Sequence, residues 1–216
     1  MAHYIPIMLD CEGLKGVIIG GGRIAARKAA PLLEGGAELT VISPALGSEL
    51  EQKRQAGPGQ ITWINRLYEA GDLKGSGAAI VYACTPDPIV NRNVAEEARE
   101  LHIPVNVATR SSDGSFITPT VIRRGDLVLS VSASGASPVL VRSITNELNE
   151  RFGEEYALYL EFWRTVRERV KRQVADPARR VYLLNKLGEL DIWEQIRAGE
   201  FRVWSEGQID EWIVKG

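Results

Sequence analysis

Gly20, Gly22 and Ala25 stand in the spacing G-x-G-x-x-A, directly behind the apolar run Lys15-Gly16-Val17-Ile18-Ile19. Those residue types suit the gripping of a diphosphate. The first glycine permits a tight turn, the second lets backbone approach the phosphates, and the alanine keeps the following helix close to the sheet. The helix then offers free N–H groups and a partial positive charge at its start. A tight turn that binds nothing uses the same residues, so the reading depends on the strand before it and the helix after it. Arg23 and Ile24 complete the loop. At the end of the second strand, Ser43-Pro44-Ala45 stands where a dinucleotide site usually places an Asp or Glu for the ribose hydroxyls. NAD and NADP therefore both stay open on this signal, and Arg23 suits a 2′-phosphate, the pyrophosphate or solvent. Thr85-Pro86-Asp87 ends the central strand at the carboxyl edge, where open α/β sheets take ligands, and it also reads as a capping turn for the next helix.

Other reactive residues are few. Cys11 and Cys84 are far apart and lack metal-ligand spacing, so they form neither a disulfide framework nor a zinc site. His3 falls in the N-terminal arm and His102 beyond a surface helix, which separates the two imidazoles. No metal site is expected. Asp113-Gly114 reads first as a turn.

The first half alternates strands with helices, the pattern of a parallel sheet with crossover helices. Strands are expected at 15–20, 38–43, 61–65, 78–84 and 104–108, with helices at 24–33, 48–56 and 88–101. Gly35-Gly36 stops the first helix. After Thr109 the pattern changes: strands are expected at 115–118 and 127–132, and a helix from Ser137-Pro138, a good N-cap and first-turn pair. Beyond Gly153 the pattern is helical. Tyr159, Phe162, Trp163, Val166, Val170 and Val174 recur at helical spacing, Asp176-Pro177 interrupts, and shorter helices follow at 181–190 and 208–214. The expected class is α/β: a Rossmann-type domain over 1–113, a small α+β segment over 114–150 and a helical region over 151–216.

Composition narrows the function. The 216 residues carry 44% hydrophobic and 25% charged side chains, as an ordinary globular protein does. A net charge of −2 supplies no field for nucleic acid or anionic membrane. The N-terminus lacks a basic segment followed by an apolar core, and no window approaches a membrane span, so a cytoplasmic protein is expected.

Several stretches together resemble the precorrin-2 dehydrogenase/sirohydrochlorin ferrochelatase family, which includes the N-terminal half of bacterial siroheme synthases. They are Ile5-Pro6-Ile7, GGGRIAARKAAPLLEGGAELTVISP from Gly20, ACTPDPIVNRNVAEEA from Ala83, Pro104-Val105-Asn106-Val107, Ser115-Phe116-Ile117-Thr118-Pro119-Thr120 and SVSASGASPVLVRSI from Ser130. The resemblance covers residues 3–150. It implies NAD-dependent oxidation of precorrin-2 to sirohydrochlorin, in some members followed by insertion of ferrous iron, by a homodimer whose segment 114–150 exchanges contacts between subunits. Arg23, Ile24, Pro44 and Ala45 would line the NAD site. Asn106, Arg110, Ser115, Arg123, Arg124, Ser134 and Arg142 would face the substrate, the arginines because it carries many carboxylates. One departure stands out. Members commonly place an aspartate two residues after the Asn-Val pair as acid/base, and that position here is Thr109. Asp113, four residues on, is the nearest replacement carboxylate. Hydride removal depends mainly on positioning, whereas metal insertion needs pyrrole protons removed, so a dehydrogenase with weak or no chelatase activity is expected. Three other readings stay open: a non-enzymatic NAD sensor or tetrapyrrole carrier, a ligand-gated regulatory Rossmann domain, and an unrelated small-molecule dehydrogenase. The regulatory reading is weakened by Ser43, where such domains usually carry an acid. The unrelated dehydrogenase lacks a histidine or lysine near any expected strand end.

Overall fold

The computed structural model describes residues 4–57 and 59–216, which leaves His3 outside the described residues. The chain divides into two compact units, at Thr118 and Pro119.

The first unit is the expected alternating fold. Its elements are β1 (Lys15–Ile19), α1 (Arg23–Glu34), β2 (Glu38–Ile42), α2 (Ser48–Ala56), β3 (Ile61–Ile64), β4 (Ile80–Ala83), α3 (Pro88–Glu100) and β5 (Val105–Val107). The strands lie in the order β3-β2-β1-β4-β5. All pairs are parallel, with Ile19 opposite both Ile42 and Ala83. Strand order reverses at β1, so the crevice between β1 and β4 is the topological switch point where such sheets take ligands. Both faces are covered, which is why β1 and β4 are continuous apolar runs rather than alternating ones. Ile18, Leu39 and Val41 pack with Ala25, Ala29 and Leu32 of α1. Val17, Ile19, Val81 and Ala83 pack on the other face with Val94, Ala95 and Ala98 of α3.

No helix links β3 to β4. Residues 65–79 cross as a loop fastened by a buried carboxylate: Glu97 of α3 accepts from the Leu73 N–H at 2.9 Å and from the Tyr68 hydroxyl. Arg66 grips both Asp72 oxygens at 2.8 and 2.6 Å and closes the loop on itself.

Residues 115–118 are not the strand that their composition suggests. They run beside β5, held by the Ser115 N–H donating to the Val105 carbonyl at 2.8 Å and Asn106 Nδ2 donating to the Phe116 carbonyl at 2.9 Å. Phe116 sets its ring edge-on against Tyr82 at 5.4 Å. The strand starts later, and its side chains show no run of burial to announce it.

The second unit opens with the antiparallel hairpin β6 (Thr120–Arg124) and β7 (Leu127–Val131), followed by α4 (Pro138–Arg151). Ser137 caps α4 and Pro138 takes its first position, as expected. No residue of α4 is buried within the described chain, and Val139 and Leu140 are exposed. Behind it, α5 (Glu155–Gln173), α6 (Pro177–Gly188), α7 (Ile192–Ala198) and α8 (Glu206–Lys215) share a core of Phe162, Val166, Val170, Leu183, Leu187 and Ile209. Helix α7 has no counterpart in the sequence reading, because its seven residues are too few to show a period. Asp176 caps α6 through the Ala178 and Arg179 N–H groups, so the residue pair that ends α5 also begins α6. Arg169 ties α5 to α8 through a two-pronged grip on Asp210, both arms 2.6 Å, with Glu206 at 2.9 Å.

Candidate dinucleotide site

The site is built where three loops leave the carboxyl edge of the sheet. After β1 the chain turns through Gly20, whose φ of +111° is open to glycine at little cost and whose Cβ position lies 2.7 Å from the Cys84 carbonyl oxygen. Gly21 is tighter still. A Cβ there would stand 2.1 Å from the Ala45 carbonyl oxygen and 2.8 Å from Ser43 Oγ. The turn after β2 is thus pressed onto the glycine loop, and the Gly47 N–H seals the contact by donating to the Gly21 carbonyl at 2.8 Å. Ser43, buried, donates its hydroxyl to the Ala45 carbonyl at 2.8 Å. Gly22 is the opposite case: no atom lies within 4 Å of its Cβ position.

Helix α1 starts on Gly22 without a side-chain cap and without an acid in its first turn. Its first N–H groups are the donors a helix cannot satisfy internally. Arg23 and Ile24 are exposed beside them and Ala25 is fully buried against the sheet. An open wedge at Gly22, uncapped N–H groups and an adjacent cation form a cradle that fits a diphosphate. The structure therefore brings Gly20, Gly22, Arg23, Ile24, Ala25, Ser43, Pro44 and Ala45 around one turn.

Across the switch point, Asp87 caps α3, its carboxylate accepting from the Ile89 N–H at 2.7 Å and the Val90 N–H at 3.4 Å. Asn91, fully buried, joins the loop after β4 to the loop after β5. It accepts from the Thr85 N–H at 3.1 Å and donates to the Thr85 carbonyl at 2.9 Å and to Thr109 Oγ1 at 3.2 Å. Pro86 is exposed between Thr85 and the cap. Asn91 is absent from the residues picked out by motif. Its signal is an amide in the first turn of a helix that already has Asp87 as its cap.

Asp113 is drawn elsewhere. It ends a single 3-10 turn, Ser111–Asp113, and its carbonyl accepts from Arg99 in the last turn of α3. Asn91, which holds Thr109, lies eight residues earlier on that helix, about 12 Å along its axis. Arg110 is exposed at the start of the 3-10 turn. Asn106 is buried, and it and Ser115 direct their polar atoms into the contact between β5 and the following segment; Ser115 Oγ accepts from the Val105 N–H at 2.8 Å. His102 sits in the turn after α3 with φ +59° and is exposed.

In the second unit, Arg123 is exposed on β6 and Arg142 is exposed on α4. Arg124 instead closes the end of α4, donating to the Phe152 carbonyl at 3.0 Å and to Asn149 Oδ1 at 3.1 Å. Ser134 has φ +52° beside Gly135 at +86°, in the turn ahead of α4.

The titratable groups beneath the cradle are held neutral or weakened as bases by burial. Cys84, at the end of β4, has its thiol pushed up to about 11 by burial, against the opposing fields of Lys28 and Arg27, which makes it a packing residue rather than a nucleophile. Burial likewise pushes Tyr82 up to about 12. Lys28 is lowered by burial, and its ammonium donates to Thr118 Oγ1 at 2.5 Å while lying 5.7 Å from the centre of the Tyr82 ring. Among the described residues no group of three or more His, Cys, Asp or Glu could hold a metal ion.

Comparison with known proteins agrees with this geometry. The family model described as "Putative NAD(P)-binding" matches residues 7–120. A siroheme synthase of Nitrosospira multiformis is 34% identical over 99% of this chain and 47% of its own length. Siroheme synthase 1 of Halorhodospira halophila is 36% identical over 91% of this chain and 38% of its own. The chain spans about half the length, or less, of these curated relatives. Among solved structures, the precorrin-2 dehydrogenase SirC superposes with a TM-score of 0.76 at 28% identity, covering 98% of both chains.

Proposed function

Because this chain belongs to the NAD(P)-binding family, we propose that it oxidises precorrin-2 to sirohydrochlorin with NAD. The observation that supports this most directly is the cradle at Gly22 and the start of α1, set at the switch point of a fold that SirC shares along its whole length. Bound NAD supplies a hydride acceptor. The overall change this would support is precorrin-2 plus NAD⁺ giving sirohydrochlorin, NADH and H⁺, with no other oxidant needed. The protein's own part is to bind and orient. The uncapped N–H groups of α1 and Arg23 would hold the diphosphate, and the absence of a side chain at Gly21 lets the loop after β2 press onto the glycine turn beside them. Arg110, exposed beyond β5, supplies a cation for a carboxylate of the substrate. Proximity of this kind is worth far more than one auxiliary base, which typically contributes about 10²- to 10⁴-fold.

Ferrous iron, as a substrate, is inserted slowly or not at all, because the Thr109 hydroxyl is no base for pyrrole protons. The unit works as a homodimer in the cytoplasm, and the partner covers β6, β7 and the bare face of α4 with its exposed Val139 and Leu140. No helix among the described residues is long and apolar enough to cross a membrane.

The test is anaerobic mixing of the protein with precorrin-2 and NAD. NADH and the sirohydrochlorin spectrum are expected to appear together in equal amounts. No NADH above a heat-killed control overturns the proposal, and faster turnover with NADP overturns the choice of cofactor. Ferrous iron added afterwards reads the chelatase step.

A further inference from the structure

Asn91 has the full hydrogen-bonding capacity of a primary amide, two donors and two acceptor sites, and its surroundings use all of it. Which end of the amide faces which way is settled by backbone. The Thr85 N–H can only donate, so Oδ1 faces it at 3.1 Å, and the Thr85 carbonyl can only accept, so Nδ2 faces it at 2.9 Å. The second acceptor site of Oδ1 is met by the Thr85 hydroxyl at 2.8 Å. The remaining hydrogen of Nδ2 points at Thr109 Oγ1, 3.2 Å away. Thr109 must accept this bond. Its own hydroxyl proton is therefore turned away from Asn91, and it meets no acceptor among the described residues, at an exposed position past the carboxyl end of β5.

The geometry points to Asn91 as a positioning residue that keeps the Thr109 hydroxyl proton turned away from it and available, at the exposed carboxyl edge, as a hydrogen-bond donor to an oxygen acceptor of a bound ligand. Resting on the dinucleotide and tetrapyrrole reading above, that acceptor is a carboxylate arm of the tetrapyrrole or the carboxamide oxygen of the nicotinamide. Both present the same chemistry, a carbonyl-type oxygen with no proton of its own. Accepting from Asn91 rules out the orientation in which the hydroxyl proton faces that amide, so the Thr109 donor is left for a ligand rather than spent on the nearest polar group.

The decisive variants are Thr109→Val, which keeps the shape and removes the donor, and Thr109→Ser, which restores it. Dissociation constants are measured for NADH by its fluorescence and for sirohydrochlorin by absorbance titration. Thr109→Val is expected to weaken one of the two ligands about tenfold, Thr109→Ser to recover it, and the other ligand to stay within about twofold. Weakened NADH identifies the carboxamide, and weakened sirohydrochlorin identifies a carboxylate arm. Asn91→Leu, checked for folding by its melting curve, should weaken the same ligand, with Thr109→Val adding little on top of it. A Thr109→Val protein that binds both ligands like the wild type overturns the inference, and so does a Thr109→Ser protein as weak as Thr109→Val. If Asn91→Leu does not fold, the threonine pair decides. Failure of the wild type to oxidise precorrin-2 would instead strike the functional reading, since these binding constants do not depend on turnover.

Discussion

The β1–α1 and β4–α3 turns leave the same edge of one sheet, yet they are finished in opposite ways. Helix α3 begins with Asp87 accepting from two of its first N–H groups and with Asn91 fastening the loops on either side. Helix α1 begins on a glycine with no cap, no acid and open space at the Cβ position of Gly22. Local sequence preference would cap both, since a side-chain cap is worth about 1 kcal/mol. The difference teaches that the α1 turn leaves its first donors without a side-chain cap, as the proposed diphosphate site requires, while the α3 turn holds side chains in place.

The largest break of this comparison comes from Gly21. Gly21→Ala drives a methyl into the Ala45 carbonyl, and a loss of about 3 kcal/mol in urea unfolding is expected together with loss of NADH fluorescence on titration. Next comes Cys84, whose carbonyl touches the glycine turn. Its thiol is raised from 9.0 to about 11 in the folded protein. The unfolded thiol ionises first as pH rises, so the stability from burying the neutral form is whole below pH 9.0 and is lost as pH climbs toward about 11. The loss is up to about 3 kcal/mol, and Cys84→Ala should show a shallower alkaline fall between the same two pH values. An equal fall in both proteins would assign it to another group.

Gly22→Ala separates the two glycines. Its methyl meets only open space, so the melting temperature should hold while NADH affinity falls about tenfold or more, because the added carbon occupies the ligand's path. If Gly22→Ala binds NADH normally, the cradle is misplaced. The smallest effect is expected from Asp87→Ala, a loss of about 1 kcal/mol in stability as the α3 cap disappears, with NADH affinity kept within about twofold.

How much of this was legible in the sequence follows from how local each signal is. The strand of residues 15–19, the glycine turn and the helix after it are written in adjacent residues, as are the caps Asp87 and Ser137. Residues 115–118 misled because β-prone composition does not say whether a partner strand is present, and here Asn106 and Ser115 hold the segment as an irregular strap. The stabilising role of Gly21 was invisible for a similar reason: the atom that forbids a side chain there belongs to Ala45, 24 residues away.

The sequence alone determined the α/β class, the order of strands and helices in the first half and the glycine turn between the first strand and helix, since each is a matter of residue type at short spacing. Only the tertiary structure decided that Asn91 joins Thr85 to Thr109, that Asp113 is held by Arg99 at the far end of α3, that Arg124 closes α4, and that the thiol of Cys84 is buried. Those outcomes depend on which distant groups share a hydrogen bond or exclude water, and chain spacing carries no record of that until the sheet brings its loops together.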